Sequence, residues 1–258
     1  MVERTMKIMS NSKLASYKKL SPNNSGKRTE KITRITPHCV VGQLDVVTLG
    51  NIFAKTSTQA SSNYGIGRDG RIAVYVNESN RSWCSSNRDN DQRAVTIECA
   101  SDSKSPYAFN SAVYNALIDL CVDICKRNGK DVLLWFGDRE KTLKYKPKKN
   151  EMVLTVHRWF ANKSCPGAWM YNRMDDLAER VNKKLKPEKI YRVVIGEYTS
   201  EKTARGMVSM LKKKGFKGGI VVKTGNKYHV QMGAYKKKGN AEKVVDDLSK
   251  SGFVAKIV

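Results

Sequence analysis

Residues 155–167 read TVHRWFANKSCPG and contain the most specific pattern in the chain. His157 and Cys165 lie eight positions apart, Lys163 comes two positions before the cysteine, and a Pro-Gly pair follows it. Imidazole and thiolate are zinc donors in proteins, and a nearby ammonium can stabilise negative charge on a substrate oxygen. The stretch therefore indicates a zinc-dependent hydrolase.

A third ligand has to come from elsewhere in the chain, because catalytic zinc sites normally use three protein ligands. The chain has three histidines, and His229 lies far downstream in what we interpret as a separate domain. His38 is therefore the third candidate, at the end of a strand-like run over residues 32–37. Cys39 is left out, because the side chains of adjacent strand residues point to opposite faces.

The chain of 258 residues is long enough for one medium domain and a small one. It has no apolar run near the roughly 20 residues of a membrane helix, so we expect no membrane insertion. The start, MVERTMKIMS, lacks the apolar centre of a signal peptide, which predicts synthesis in the cytoplasm. The six cysteines are expected to be mostly reduced, buried thiols.

The charge balance is unusual, with 48 Lys and Arg against 24 Asp and Glu and a net charge of +24. A field of this sign attracts polyanions. Nucleic acid and an anionic cell wall, with its carboxylates and phosphodiester polymers, are equally good partners on charge alone. The composition does not choose between them.

Alternating strand and helix patterns predict an α/β domain with a central mixed sheet flanked by helices. Residues 1–30 are polar and are interpreted as an N-terminal arm with little structure of its own, and residues 31–186 as the catalytic domain. Within it we expect strands at 33–41, 94–100 and 132–136, a hairpin around Arg68-Asp69-Gly70, helices at 45–56, 110–128 and 170–185, and loops at 81–93 and 141–150.

Two positions in this domain carry further candidate roles. Glu98 interrupts the apolar run AVTIECA, and a carboxylate inside a buried strand is costly unless it meets a cation or serves as a general base. We favour the general base. Trp83, in a polar loop, is either a packing residue or a platform for a sugar ring. Asn63 and Tyr64, before the predicted hairpin turn, complete the candidate substrate contacts.

From Tyr191 onward the chain repeats itself with a spacing of 37 residues, so that Tyr191, Gly196 and Tyr198 recur as Tyr228, Gly233 and Tyr235. Each copy reads strand, helix, strand. Residues 190–258 are thus predicted to form a small α+β domain of βαββαβ order, ferredoxin-like, with a four-stranded antiparallel sheet and two helices. Tyr198, Gln231 and Tyr235 are candidate polymer contacts, and since aromatic groups can stack on sugars or bases, RNA binding is also weighed.

Residues 30–185 resemble the type-2 N-acetylmuramoyl-L-alanine amidases, zinc enzymes that share a fold with peptidoglycan-recognition proteins and include many phage endolysins. The matching positions are His38, His157 and Cys165 in KSCPG, which the resemblance implies are zinc ligands. Lys163 matches a lysine that stabilises the oxyanion, and Glu98 in VTIEC matches the acid of phage members, implying a general base. The implied reaction is hydrolysis of the amide between N-acetylmuramic acid and L-alanine in peptidoglycan.

The terminal repeat resembles the sporulation-related SPOR domain, whose halves begin with motifs like YHVQMGAY. Such domains bind glycan strands stripped of their peptides, which an amidase produces. We therefore expect peptidoglycan as the partner and the cell wall as the place of action. Without a secretion signal such an enzyme would need a membrane pore, as endolysins do, which favours a phage origin. A non-catalytic peptidoglycan-binding protein of the same fold and a nucleic-acid-binding protein are the lower-ranked alternatives.

Overall fold

A computed structural model describes residues 10–186 and 189–258, which form two compact units that divide after Lys186. The first unit contains strands β1 (Ala15–Lys18), β2 (Asn24–Lys27), β3 (Arg34–Cys39), β4 (Tyr64–Ile66), β5 (Ile72–Val74), β6 (Asn80–Ser82), β7 (Ala94–Cys99), β8 (Val132–Leu134) and β9 (Glu151–Leu154). Its helices are α1 (Val46–Phe53), α2 (Arg88–Arg93), α3 (Ser111–Arg127), α4 (Arg139–Lys144), α5 (Gly167–Tyr171) and α6 (Met174–Leu185). None of the helices in the described part of the chain has the length and apolar character needed to cross a bilayer.

Seven strands form one mixed sheet in the order β1-β5-β4-β7-β3-β9-β8, as the α/β prediction requires. β4 and β5 pair antiparallel around the predicted Asp-Gly turn, and the other neighbours are parallel. Alternate residues of β5 face opposite sides of the sheet: Ile72 and Val74 join the large core with α3 and α6, whereas Ala73 joins a smaller cluster with α1. Helices therefore cover both faces.

The prediction of an N-terminal arm with little structure of its own is wrong for part of this segment, and its first nine residues lie outside the described part. β1 extends the main sheet by pairing parallel with β5, and β2 pairs antiparallel with β6. Their exposure alternates residue by residue, which shows strands that lie half on the protein surface. Polar composition concealed them because one side of each strand faces solvent.

Helices also occur where loops were expected, and one expected helix is divided. α2 lies in the predicted loop 81–93, where Asn87 caps the helix by accepting from the Asn90 amide and acidic residues fill its first turn. α4 begins after the Asp138 cap and extends into the predicted loop 141–150. The predicted helix 170–185 is two helices, α5 and α6, because the backbone at Arg173 departs from helical angles.

The second unit contains β10 (Tyr191–Tyr198), α7 (Glu201–Lys213), β11 (Ile220–Thr224), β12 (Lys227–Tyr235), α8 (Lys238–Lys250) and β13 (Ala255–Ile257). Its four strands lie in the order β11-β12-β10-β13 and all pair antiparallel. Corresponding apolar residues of the two repeats share one core, among them Val193 with Val230 and Leu211 with Leu248. The predicted ferredoxin-like arrangement is confirmed.

A buried ion pair joins the helical layer to the polar end of the hairpin in the first unit. The Glu78 carboxylate has no exposed surface and accepts hydrogen bonds from the Arg127 guanidinium at 2.7 and 2.9 Å, from the Tyr64 hydroxyl at 2.7 Å and from Asn128. Removing one partner of such a pair leaves a buried charge without full compensation.

Arg127→Ala should therefore lower the free energy of unfolding of the first unit by about 3 kcal/mol. Urea unfolding followed by tryptophan fluorescence measures this unit selectively, because all four tryptophans precede residue 187. The matched control is Arg180→Ala, which removes an exposed pair with Asp176 and should leave the urea midpoint almost unchanged. Equal losses in the two variants would contradict the role assigned to Glu78.

Candidate metal centre

His38 lies near the carboxyl end of β3, a strand in which every residue is buried. It pairs in register with Glu98 on the parallel neighbour β7, so both side chains project from the same end of the sheet. The imidazole has no exposed surface, and its Nε2 atom has no hydrogen-bond partner within the described residues. The other ring nitrogen, Nδ1, faces Cys165 and Glu98, so it is the nitrogen placed to bind a cation shared with them.

His157 begins a single 3₁₀ turn, His157–Trp159, that follows the end of the adjacent strand β9. The Trp159 ring stacks on Trp135 with a centroid distance of 5.0 Å and an interplanar angle of 1°. This stacking anchors the turn to the core. Because β3 and β9 are parallel, their following residues meet at one edge of the sheet, and the His38 and His157 rings lie 5.0 Å apart.

Cys165 is held against the histidine turn by main-chain and side-chain hydrogen bonds from Arg158. The Arg158 amide donates to the Cys165 carbonyl at 3.1 Å, and its guanidinium donates to the Ser164 carbonyl at 2.6 Å. Gly167 follows with φ of +85°, and a Cβ there would lie 2.8 Å from the Pro106 carbonyl oxygen. The glycine is therefore required for both its backbone angle and the close approach of this loop.

The structure brings the three predicted ligands together: one donor atom each of His38, His157 and Cys165 lies within 4.8 Å of the others. His38 Nδ1 is 3.3 Å from Cys165 Sγ. A tetrahedral zinc ion with bonds of about 2.1 Å to nitrogen and 2.3 Å to sulfur would separate such atoms by about 3.5 Å. Two imidazoles and one thiolate thus fit zinc with one coordination position left open.

Burial sets the protonation of these groups. It lowers the pKa of His38 well below its ordinary value, and the neighbouring His157 lowers it further. Burial and the positive charge of Lys163 also lower the pKa of His157, so both imidazoles are neutral, as metal ligands must be. A hydrogen bond with Cys39, together with burial, raises the pKa of Cys165, and a coordinated cation offsets this by stabilising the thiolate.

Glu98 faces the three donors from β7, with Oε1 3.9 Å from His38 Nδ1. The Cys84 thiol donates to the same oxygen at 3.7 Å, whereas Oε2 has no partner within the described residues. Burial raises the pKa of Glu98 to about 7. A carboxylate with one free oxygen and a pKa near neutrality is suited to accept and return a proton.

A cleft of about 490 Å³ opens beside the metal donors. Glu98, His157, Lys163 and Trp83 all line it, so four of the predicted site residues share one surface. Lys163 is exposed, and Trp83 is half-buried with its indole N–H donating to the Ser25 hydroxyl at 2.7 Å. The cleft can therefore admit a substrate with a ring beside an indole and a carbonyl group near an ammonium.

The expectation that Asn63 and Tyr64 contact substrate is corrected by their burial, because neither has any exposed surface. The Asn63 amide donates to the carbonyls of Val76, Asn77 and Asn80 and accepts from the Thr96 amide. The Tyr64 hydroxyl donates to Glu78. Both residues hold the hairpin in place and are withdrawn as substrate contacts.

The candidate wall contacts of the second unit are half-buried. Tyr198 and Tyr235 pack against its hydrophobic core, and each hydroxyl lies where a Cβ on Gly196 or Gly233 would be. The repeated glycine and tyrosine thus have a packing role in both halves. Gln231 lies on β12 between β10 and β11. Polymer binding by these three side chains stays a prediction.

Sequence reasoning predicted the loop 81–93 but missed that it borders the donors on the β6 side. Asp91 on α2 organises this loop by accepting from the amides of Cys84 and Ser85. The loop brings the Cys84 thiol into hydrogen-bond contact with the Glu98 carboxylate. It also places the Ser86 hydroxyl 3.1 Å from His157 Nε2. The only sequence signal for its structure was the series of Asn and Asp residues before β7, which are typical of helix caps. The segment has no periodic pattern of apolar residues.

The comparison with known families confirms the resemblance read from the sequence. Residues 28–168, more than half of the chain, match the family described as N-acetylmuramoyl-L-alanine amidase. The chain therefore belongs to this family, and its membership supports peptidoglycan amidase activity. Residues 224–258, the second of the two repeats, match the SPOR domain. No curated protein sequence matches the chain.

Several solved structures are similar to parts of the chain. The peptidoglycan binding domain of the B. subtilis cell wall lytic enzyme CwlC is 32% identical over 27% of this chain and 86% of that domain, with a TM-score of 0.25. A mutant endolysin from Bacillus subtilis is 16% identical, covering 64% of this chain and 97% of its own, with a TM-score of 0.45. The Staphylococcus aureus hydrolase AmiA in complex with its ligand is 14% identical over 66% and 82%, with a TM-score of 0.47.

Loss of one donor should abolish tight metal binding. After zinc loading and desalting, the wild-type chain should retain about one equivalent of zinc, whereas Cys165→Ser should bind at least about 100-fold more weakly. The control is Cys125→Ala, a buried thiol in α3 that belongs to the core cluster. Metal content measured by plasma mass spectrometry decides the matter. Full zinc retention by the serine variant would remove Cys165 from the site.

Proposed function

We propose that the chain is a zinc-dependent amidase that cleaves the bond between N-acetylmuramic acid and L-alanine in peptidoglycan. The observation that carries the proposal is the meeting of His38, His157 and Cys165 beside Glu98 at the edge of an open cleft. Family membership supports the reaction class. The donor chemistry supports the choice of metal, since it combines two imidazoles with one thiolate.

Zinc bound by these three residues would supply Lewis acidity, which polarises an amide carbonyl and lowers the pKa of a water molecule. The chain's own groups then manage protons and charge. Glu98 accepts the proton from the attacking water, whose oxygen bonds to the amide carbon. The carboxyl group afterwards returns the proton to the departing nitrogen as the carbon–nitrogen bond breaks, so that the L-alanine amino group leaves neutral.

Lys163 and Trp83 position the substrate in this account. The Lys163 ammonium lines the cleft with His157 and stabilises negative charge that develops on the amide oxygen. Trp83 offers an apolar face to a sugar ring, and its bond to Ser25 fixes the orientation of the indole. One end of the cleft thus serves the reacting amide and another serves the glycan.

The second unit is proposed to hold the enzyme on its polymer. The SPOR match of residues 224–258 supports binding to peptidoglycan, and we assign denuded glycan strands as the form bound. An amidase that produces such strands would then stay near the wall it has already cleaved. The wall is therefore the proposed place of action, with phage-type lysis as the favoured setting.

Digestion of purified cell walls tests the reaction class. The chain should release new N-terminal L-alanine without new reducing sugar ends, because the scissile bond is an amide. A chelator should abolish release, and added zinc should restore it. Reducing ends without new amino termini would indicate a glycosidase, and activity unaffected by chelation would exclude the metal from the reaction.

Substitutions separate the two proposed catalytic roles from metal binding. Glu98→Gln should lower kcat by about 10²–10⁴-fold, and Lys163→Met by about 10²–10³-fold, while both keep the zinc content of the wild type. Glu140→Gln on exposed α4 is the matched control and should leave kcat unchanged. Wild-type turnover by Glu98→Gln would show that another group moves the proton.

A further inference from the structure

A second cavity of about 700 Å³ lies in the first unit and is larger than the cleft beside the metal donors. Its lining is strongly basic, with Arg28, Lys31, Lys130, Lys148 and Lys149 against a single acid, Glu30. We call this cavity the basic groove. The proposed reaction uses none of these residues, although the run that precedes β9 is among the most lysine-rich in the chain.

The basic groove lies at the opposite edge of the sheet from the metal donors. Ile32 and Thr33 of its lining precede β3, and Lys149 precedes β9, whereas His38 and His157 lie at the other ends of these two parallel strands. A six-residue strand such as β3 spans about 20 Å. A polymer in the groove would therefore leave the cleft free.

The segment that carries the groove lysines is held in place by its own hydrogen bonds. The Glu151 carboxylate accepts from the Tyr145 hydroxyl at 2.7 Å and from the Lys148 amide at 2.8 Å. The Lys130 ammonium donates to the Lys149 carbonyl at 2.8 Å. Fixing the main chain in advance lowers the entropy cost of binding a ligand, so the ammonium groups are presented on a prepared surface.

Two of the ammonium groups are available to a ligand. Lys31 and Lys149 are exposed, and neither makes an ion pair with any residue in the described ranges 10–186 and 189–258. Lys148 is also exposed, and its ammonium lies 4.0 Å from the Glu151 carboxylate. That carboxylate already accepts hydrogen bonds from the Tyr145 hydroxyl and the Lys148 main-chain amide. The groove therefore carries positive charge that the chain does not neutralise.

The lining also restricts the kind of polyanion. It contains no Phe, Tyr or Trp, and aromatic side chains are what proteins use to stack exposed bases. Ile32 is buried, so the apolar surface of the groove comes from half-buried Pro147 and the lysine stems, which suit a short aliphatic segment between charges. A polymer of phosphates joined by small polyols meets both conditions, whereas a single-stranded nucleic acid does not.

We propose that the basic groove binds a poly(polyol phosphate) chain of the cell wall, separately from the amidase cleft. The choice of a wall polymer rests on the proposed function. The phosphate groups would contact Lys31, Lys148 and Lys149, and the polyol carbons would lie on the aliphatic lining. The groove would thus hold the catalytic unit against the anionic part of the wall while the cleft engages peptide and glycan.

Binding of end-labelled poly(glycerol phosphate) to the full chain, measured by fluorescence anisotropy at several salt concentrations, tests the proposal. The triple variant K31Q/K148Q/K149Q should bind about tenfold to a hundredfold more weakly and show a smaller salt dependence. The matched control K13Q/K55Q/K104Q removes the same charge from exposed positions outside the groove and should bind within about twofold of wild type. Thermal unfolding should be unchanged in both variants, since all six side chains are exposed.

Equal weakening by the two triple variants would overturn the proposal, because it would show a response to total charge alone. Tighter groove-dependent binding of oligo(dT) would overturn it in favour of a nucleic-acid partner, and equal binding of polyglutamate would remove the preference for phosphate. The assay involves no hydrolysis. A chain that lacks amidase activity would still give a clear result, so failure of this proposal and failure of the proposed function are distinguishable.

Discussion

The hydrogen bonds between Arg158 and the cysteine loop are the constraint on which the site depends. His38 is fixed by a buried strand, but His157 and Cys165 lie on irregular chain that would otherwise be free to separate. The Arg158 amide and guanidinium tie these two together through the carbonyls of Cys165 and Ser164. The stacked pair of Trp159 and Trp135 then ties the whole turn to the core.

Parallel pairing explains why the three candidate metal donors and Glu98 lie at one end of the sheet. β3 lies between β7 and β9, so the strand that carries His38 has Glu98 on one side and the chain leading to His157 on the other. Burial keeps both imidazoles neutral and raises the pKa of Glu98 to about 7. The opposite edge carries the basic groove, so the metal donors and the groove lie on separate sides of one domain.

The sequence allowed the donors to be chosen because candidates were scarce. Three histidines, one of them in the terminal repeat, left few combinations with Cys165, and Glu98 stood out as an acid in an apolar strand. The hairpin, the long helices and the repeated unit were predictable because the apolar residues of each recur at a regular spacing.

Features that depend on long-range pairing were not predictable in this way. β1 is polar on its exposed side and gains its place only by pairing with β5, about 57 positions away. Tyr64 is buried through its bond to the Glu78 carboxylate, and Asn63 through its bonds to main-chain carbonyls of residues 76–80. Cys84 reaches Glu98 because Asp91 shapes the intervening loop, a contact that no spacing rule contains.

X-ray absorption spectroscopy at the zinc edge of the metal-loaded chain is the most direct test of the central claim. Two imidazole nitrogens at about 2.0–2.1 Å, a single sulfur at about 2.3 Å and one further light atom are the predicted coordination shell. A shell with two sulfurs would mean that a second cysteine replaces a histidine. A shell without sulfur would contradict the three-donor site and the hydrolase mechanism built on it.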